Sequence, residues 1–141
     1  MAGFAAYVKL PTNAILAGIK GYVNKKVQYI KKDSQVYYEI LDSFKDIVEH
    51  RVPMETGALR GSATIITQGG GYALEYDPVD PENGFHYGSK QYHGPVVGSR
   101  VWDRHTSGTG GYWDKNLPQG DMRKLMSAAK RAVKNSWEEA K

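Results

Sequence analysis

The chain has 141 residues, 40% of them hydrophobic and 16 of them glycine, with a formal net charge of +4. That size implies one domain with a real core and much loop around it. The absence of cysteine excludes disulfide scaffolds, cysteine zinc sites, iron–sulfur clusters and thiol nucleophiles, and no run approaches the roughly 18 apolar residues of a membrane span.

A chain without cysteine is indifferent to redox compartment. Met1 to Leu10 holds a short apolar patch with no basic segment before it, so no signal peptide is expected. Charge is unevenly spread. Residues 1–52 carry 8 basic and 5 acidic side chains, 53–120 carry 5 and 7, and 121–141 carry 6 and 3. Basic ends around a mildly acidic middle suit contact with a polyanion or an acidic neighbour.

Residues 1–12 read as an arm, and 13–141 as a single domain. After Pro11, with Thr12 or Asn13 as cap, Ile15, Leu16, Ile19, Tyr22, Val23, Val27 and Ile30 recur at helical spacing. Lys20, Lys25, Lys26, Lys31 and Lys32 spread around the polar side of that helix. They form either a solvated face or an electrostatic contact with DNA or a partner. Ser34 is placed to cap a second helix, whose stripe is Val36, Tyr37, Ile40, Leu41, Phe44, Ile47 and Val48. His50 and Arg51 suit its last turn, and Pro53 stops it.

Next comes a hairpin. Ser62 to Gln68 is β-branched, Gly69 to Gly71 is a turn too loose to fix the register, and Tyr72 to Tyr76 returns. Residues 77–118 are rich in turn residues. Short strands are expected at Phe85–Tyr87 and within Gly94–Val101, and a loop over Thr106–Gly111. A helix then starts at Pro118–Asp121, capped by Asp121. Met122, Leu125, Met126, Ala129, Ala132, Val133 and Trp137 line one face; Arg123, Lys124, Lys130, Arg131 and Lys134 cover the other. Helices, then strands, then a helix point to an α+β fold.

Chemistry-bearing patterns are weak. His86, His93, His105, Asp103 and Asp114 share the middle region but lack the spacing of a metal site. No Gly-x-Ser-x-Gly elbow or phosphate loop occurs. No catalytic role is therefore expected. A small basic DNA-binding module is the alternative reading, although Tyr22 and Tyr37 sit on apolar faces and suit core packing better than base stacking.

The most telling segment runs from Arg51 to Ser62. Pro53 ends a helix and Thr56 can bond local backbone N–H groups. Gly57 can take a positive φ, Leu59 can plug a core, and Arg60 is available to a carboxylate or carbonyl. Pro53, Thr56, Gly57, Leu59, Arg60 and Ser62, after a basic amphipathic helix and before a hairpin, resemble a motif of the tailed-bacteriophage minor capsid and tail-completion (head–tail connector) proteins. Tyr72-Ala73 with Glu75, and Tyr112-Trp113 before the closing helix, are similar to later parts of that pattern. The resemblance covers residues 34–76 and, more loosely, 112–141; residues 77–111 depart from it as a loop-rich insertion.

The resemblance implies N-terminal amphipathic helices, a small antiparallel sheet and a C-terminal helix, with the motif structural rather than catalytic. It implies a homo-oligomeric ring, hexamer or dodecamer, in the virion neck, assembled in the host cytoplasm. Portal or adaptor proteins and tail proteins would be its neighbours, and genomic DNA would pass non-specifically through its channel. No cofactor, metal or membrane is implied.

Overall fold

The computed structural model describes residues 3–23, 31–53, 57–94 and 109–139, with the side chains of 20–23 and 137–139 outside that set. In chain order the elements are β1 (Ala6–Val8), α1 (Thr12–Val23), α2 (Gln35–Val48) continued by a 3-10 turn (Glu49–Arg51), α3 (Ala58–Gly61), β2 (Thr64–Gln68), β3 (Gly71–Tyr76), α4 (Gly88–Tyr92) and α5 (Gln119–Glu139). The strands form an antiparallel sheet of order β1-β3-β2, an α+β architecture. Two compact units result. One contains Met1–Val8, Val48–Thr64 and Leu74–Leu117; the other contains Lys9–Ile47, Ile65–Ala73 and Pro118–Lys141.

The second unit is helical and follows the apolar periodicity. Ile15 and Ile19 of α1 are buried, as are Val36, Tyr37, Ile40, Leu41 and Phe44 of α2. On α5 the buried stripe is Leu125, Ala128, Ala129, Ala132 and Val133, and α5 packs on α1. Each fully buried large aliphatic or aromatic side chain contributes about 1.5–3 kcal/mol. Ser34 does cap α2, its Oγ accepting the Tyr37 N–H at 3.1 Å and donating to Lys31 O at 2.7 Å. The buried Tyr37 hydroxyl accepts the Leu10 N–H at 3.2 Å.

The hairpin turn is tighter than its three glycines suggest. Gly69 (φ +60°) and Gly70 (φ +78°) are the two turn residues, and Gly71 already begins β3. Positive φ at both positions matches the right-handed twist of paired strands, and glycine adopts it without a Cβ clash. Lys32 fastens this hairpin twice: its Nζ donates to Gly69 O at 2.9 Å, and its own carbonyl accepts the Tyr72 N–H at 3.0 Å. Tyr72 meets Tyr38 of α2 edge to face, ring centroids 5.2 Å apart.

In the first unit several expectations change. Residues 6–8, expected within an arm, pair with β3 in the register Ala6↔Tyr76, Tyr7↔Glu75, Val8↔Leu74. Ala6 and Val8 are buried there, so the apolar patch of the N-terminus is a strand with one face in a core. Phe85–Tyr87 forms no strand. His86 makes only isolated bridges, to Gly3 and to Val79; next to the second, Pro78 accepts the Tyr87 N–H but has no N–H to return. The one-and-a-half-turn α4 has too few residues for a helical period to show in the sequence. Thr109 and Gly110 lie in a loop as expected, but a buried one, and the Gly110 N–H donates to Arg51 O at 3.2 Å. Gly94 lies in a bend, and the rest of the Gly94–Val101 expectation falls outside the described residues.

One cap also moves. α5 begins at Gln119, with the Met122 N–H bonded to Pro118 O at 2.9 Å. Asp121, expected as the cap, is the third residue of the helix and is buried. Its negative charge still suits the first turn, where unpaired backbone N–H groups point.

Candidate functional site

The Arg51–Ser62 segment folds as a corner braced by two arginines. Val52 and Pro53 are buried, so the chain leaves the 3-10 turn with its apolar groups inward. Gly57 has φ +81° and sits ahead of the single-turn helix α3, with open space where a Cβ would stand. Its need for glycine is therefore conformational rather than steric. α3 tucks Leu59 into the core at 4% exposure. Ser62 closes the turn, its Oγ donating to Leu59 O at 2.7 Å and its N–H to Ala58 O at 3.0 Å. Thr56 lies outside the described residues.

Arg60 reaches back across the corner. Its Nε donates to Val52 O at 2.8 Å and its Nη2 to His50 O at 3.1 Å. Those carbonyls lie at the end of a helix interrupted by Pro53, which itself carries no N–H. A planar guanidinium can satisfy two such acceptors at once, which a lysine ammonium does less well. Of the two ligand types open to Arg60, carboxylate or carbonyl, these two contacts are to carbonyls.

Sequence reading undervalues Arg51. It was expected to complement the helix end from the last turn; instead it is buried at 6% exposure, with Nη2 donating to Lys115 O at 2.8 Å. Its carbonyl also holds Gly110. Residue 51 thereby ties the corner to the segment around 110–115, some 64 positions on in the chain. A buried arginine is rare without such partners, but only the fold reveals which carbonyl it meets.

Beside this lies an aromatic cluster. Trp113 is fully buried, with ring centroids 5.0 Å from Tyr76 and 4.9 Å from Tyr92, both edge to face. Tyr112 lies 5.1 Å from Tyr92 and 5.8 Å from His93. The Tyr92 hydroxyl donates to Asp114 Oδ1 at 2.6 Å. Burial first, then the hydrogen bond and charge of Asp114, hold the Tyr92 phenol well above the usual range. Tyr92 is therefore not poised for acid–base work near neutral pH; its hydroxyl is a held proton donor to Asp114.

The histidines are dispersed. His86 Nδ1 lies 2.6 Å from Asp77 Oδ1, while His93 meets Ser89. Asp114 belongs to Tyr92, and His105 and Asp103 fall outside the described residues. Among the described residues no three acidic, histidine or cysteine side chains converge on a metal-sized site, and no helix is long and apolar enough to cross a membrane. The lysine positions divide similarly. The side chain of Lys20, and all of Lys25 and Lys26, lie outside the described residues; Lys31 is exposed; Lys32 is exposed and engaged on Gly69.

Comparison with known protein families, with characterised proteins and with solved structures returns no match.

Proposed function

We propose that the chain is a non-catalytic structural component of the neck of a tailed bacteriophage, a head–tail connector or tail-completion protein that assembles as a ring between head and tail. What carries this reading is the corner at Pro53–Ser62. Its residues resemble the motif of that protein group, and its polar side chains turn back onto the chain itself: Arg60 onto His50 and Val52, Ser62 onto Leu59. A corner closed on its own backbone in this way suits a subunit that must present the same surface in every copy.

Exposed apolar side chains in the same unit support the reading. Phe4 is 78% exposed, and Tyr7 and Val79 are also exposed. Apolar groups of this size on one unit suit burial between subunits. In this reading portal or adaptor proteins and tail proteins flank the ring, and DNA passes through it.

The test is genetic and structural together. Removing the chain from an infection by the phage that encodes it should leave DNA-filled heads and complete tails unjoined, and supplying it in trans should restore joining. Normal joining in its absence would overturn the assignment. Failure of Arg60→Met to restore joining, with Arg60→Lys partly restoring it, would attribute the effect to the corner.

A further inference from the structure

We propose that the exposed face of α5 is a docking surface for the phosphate backbone of duplex nucleic acid, through Arg123, Lys124, Lys130, Arg131 and Lys134. All five are exposed, and among the described residues none forms an ion pair. At about 100° per residue, Lys130, Arg123 and Lys134 fall within about 40° of one another around the helix, and Arg131 and Lys124 complete an arc of about 120°. Ser127 within that arc and Asn135 at its edge are exposed and polar, and Glu138 also falls within it, its side chain outside the described residues. Asp121 is buried on the opposite side, and the other two acidic residues of this helix, Glu138 and Glu139, lie at its C-terminal end beyond the last cation of the stripe. At about 1.5 Å per residue the stripe is about 16 Å long.

The character of this face selects its occupant. Among the described residues it contains no apolar or aromatic side chain, and protein partners bind through such anchors, with charge depleted from the centre of the contact. A lipid surface is a poor fit as well, because the apolar face that would enter it, from Leu125 to Val133, is already buried in the core and packed on α1. A duplex offers about one negative charge per 1.7 Å of axis, so a stripe of this length meets several phosphates at once. Long side chains without a fixed bonding pattern suit contact with backbone rather than with base edges. The lysines of the first helix are not needed for this: the cationic face lies on α5, where charge and geometry coincide. The proposal does not depend on the neck assignment, since a chain absent from the head–tail junction could still bind duplex.

The experiment is a fluorescence-anisotropy titration of the full chain against a labelled duplex of about 30 base pairs and arbitrary sequence, at salt concentrations between about 50 and 200 mM. Wild-type affinity should fall linearly on logarithmic axes as salt rises. The triple variant Arg123→Gln, Lys130→Gln, Lys134→Gln should lower that slope by about 2.7, so the affinity lost over this range shrinks about 40-fold. The double variant Lys124→Gln, Arg131→Gln should lower it by about 1.8, and Lys90→Gln should leave it unchanged. All these side chains are exposed, and an unchanged thermal melt confirms that each variant is folded. The proposal is overturned by no duplex binding at the lowest salt, by variants that keep the wild-type slope, or by polyglutamate or anionic vesicles competing as well as duplex at equal charge.

Discussion

In the unit that holds α1, nearly all of α2 and all of α5, buried side chains recur along each helix at the spacing of a turn, and α2 and α5 each supply five or more of them. In the unit that holds the corner, the buried groups come from distant stretches: Ala6 and Val8, Arg51 to Pro53, Leu59, Leu74 and Tyr76, Tyr92, then Thr109 to Asp114. The helical unit rests mainly on aliphatic burial. The corner unit relies more on ring-on-ring packing and side-chain hydrogen bonds to backbone carbonyls. A region that reads as loop can therefore be well packed, provided arginine, tyrosine and aspartate satisfy the polar groups that helices and strands would otherwise pair.

The sharpest way to break this comparison is Trp113→Ala. If the second kind of packing is a true core, the substitution costs about 3–5 kcal/mol in denaturant unfolding, as for any buried tryptophan. A cost under about 1 kcal/mol would make the unit a loosely held loop. Arg60→Met comes next. It leaves the His50 and Val52 carbonyls without the guanidinium and should cost about 2 kcal/mol, with Arg60→Lys recovering only part. Gly57→Val should cost about 1–2 kcal/mol, because φ +81° strains any side chain even in open space. On the helical side, Ser34→Ala should cost about 1 kcal/mol through loss of the α2 cap.

The smallest effect appears only in base. Tyr92 is held above its unfolded value near 10, so the folded state favours the neutral phenol. Its contribution is complete below about pH 10 and is lost as pH rises above that, where the unfolded chain releases the proton first. Tyr37, raised mainly by burial, acts in the same direction from the helical unit. The unfolding midpoint should therefore drop above about pH 10, and less steeply in Tyr92→Phe than in wild type.

How much the sequence reveals differs between the two units for the same reason. The α2 stripe, its Ser34 cap and the basic and apolar faces of α5 follow from local periodicity and are legible in the residues alone. So is the positive φ of Gly57, since few other residue types tolerate it in a turn after proline. β1 is not legible, because three residues carry no period and their partner lies some 70 positions away. Nor are the Arg51–Lys115 and Tyr92–Asp114 bonds, which join residues 64 and 22 positions apart. The two-residue turn at Gly69-Gly70 is hidden by a third glycine that belongs to the strand. At the corner, Pro53, Gly57, Leu59, Arg60 and Ser62 stand out as a group, whereas the carbonyls that receive Arg60 emerge only once the chain has folded back.

A cryo-EM reconstruction of the neck in intact particles tests the assembly reading most directly. The expected result is a closed ring of identical copies of this chain at the head–tail junction, each with Arg60 turned onto its own residues 50 and 52. A junction whose density is fully accounted for by other chains would contradict it.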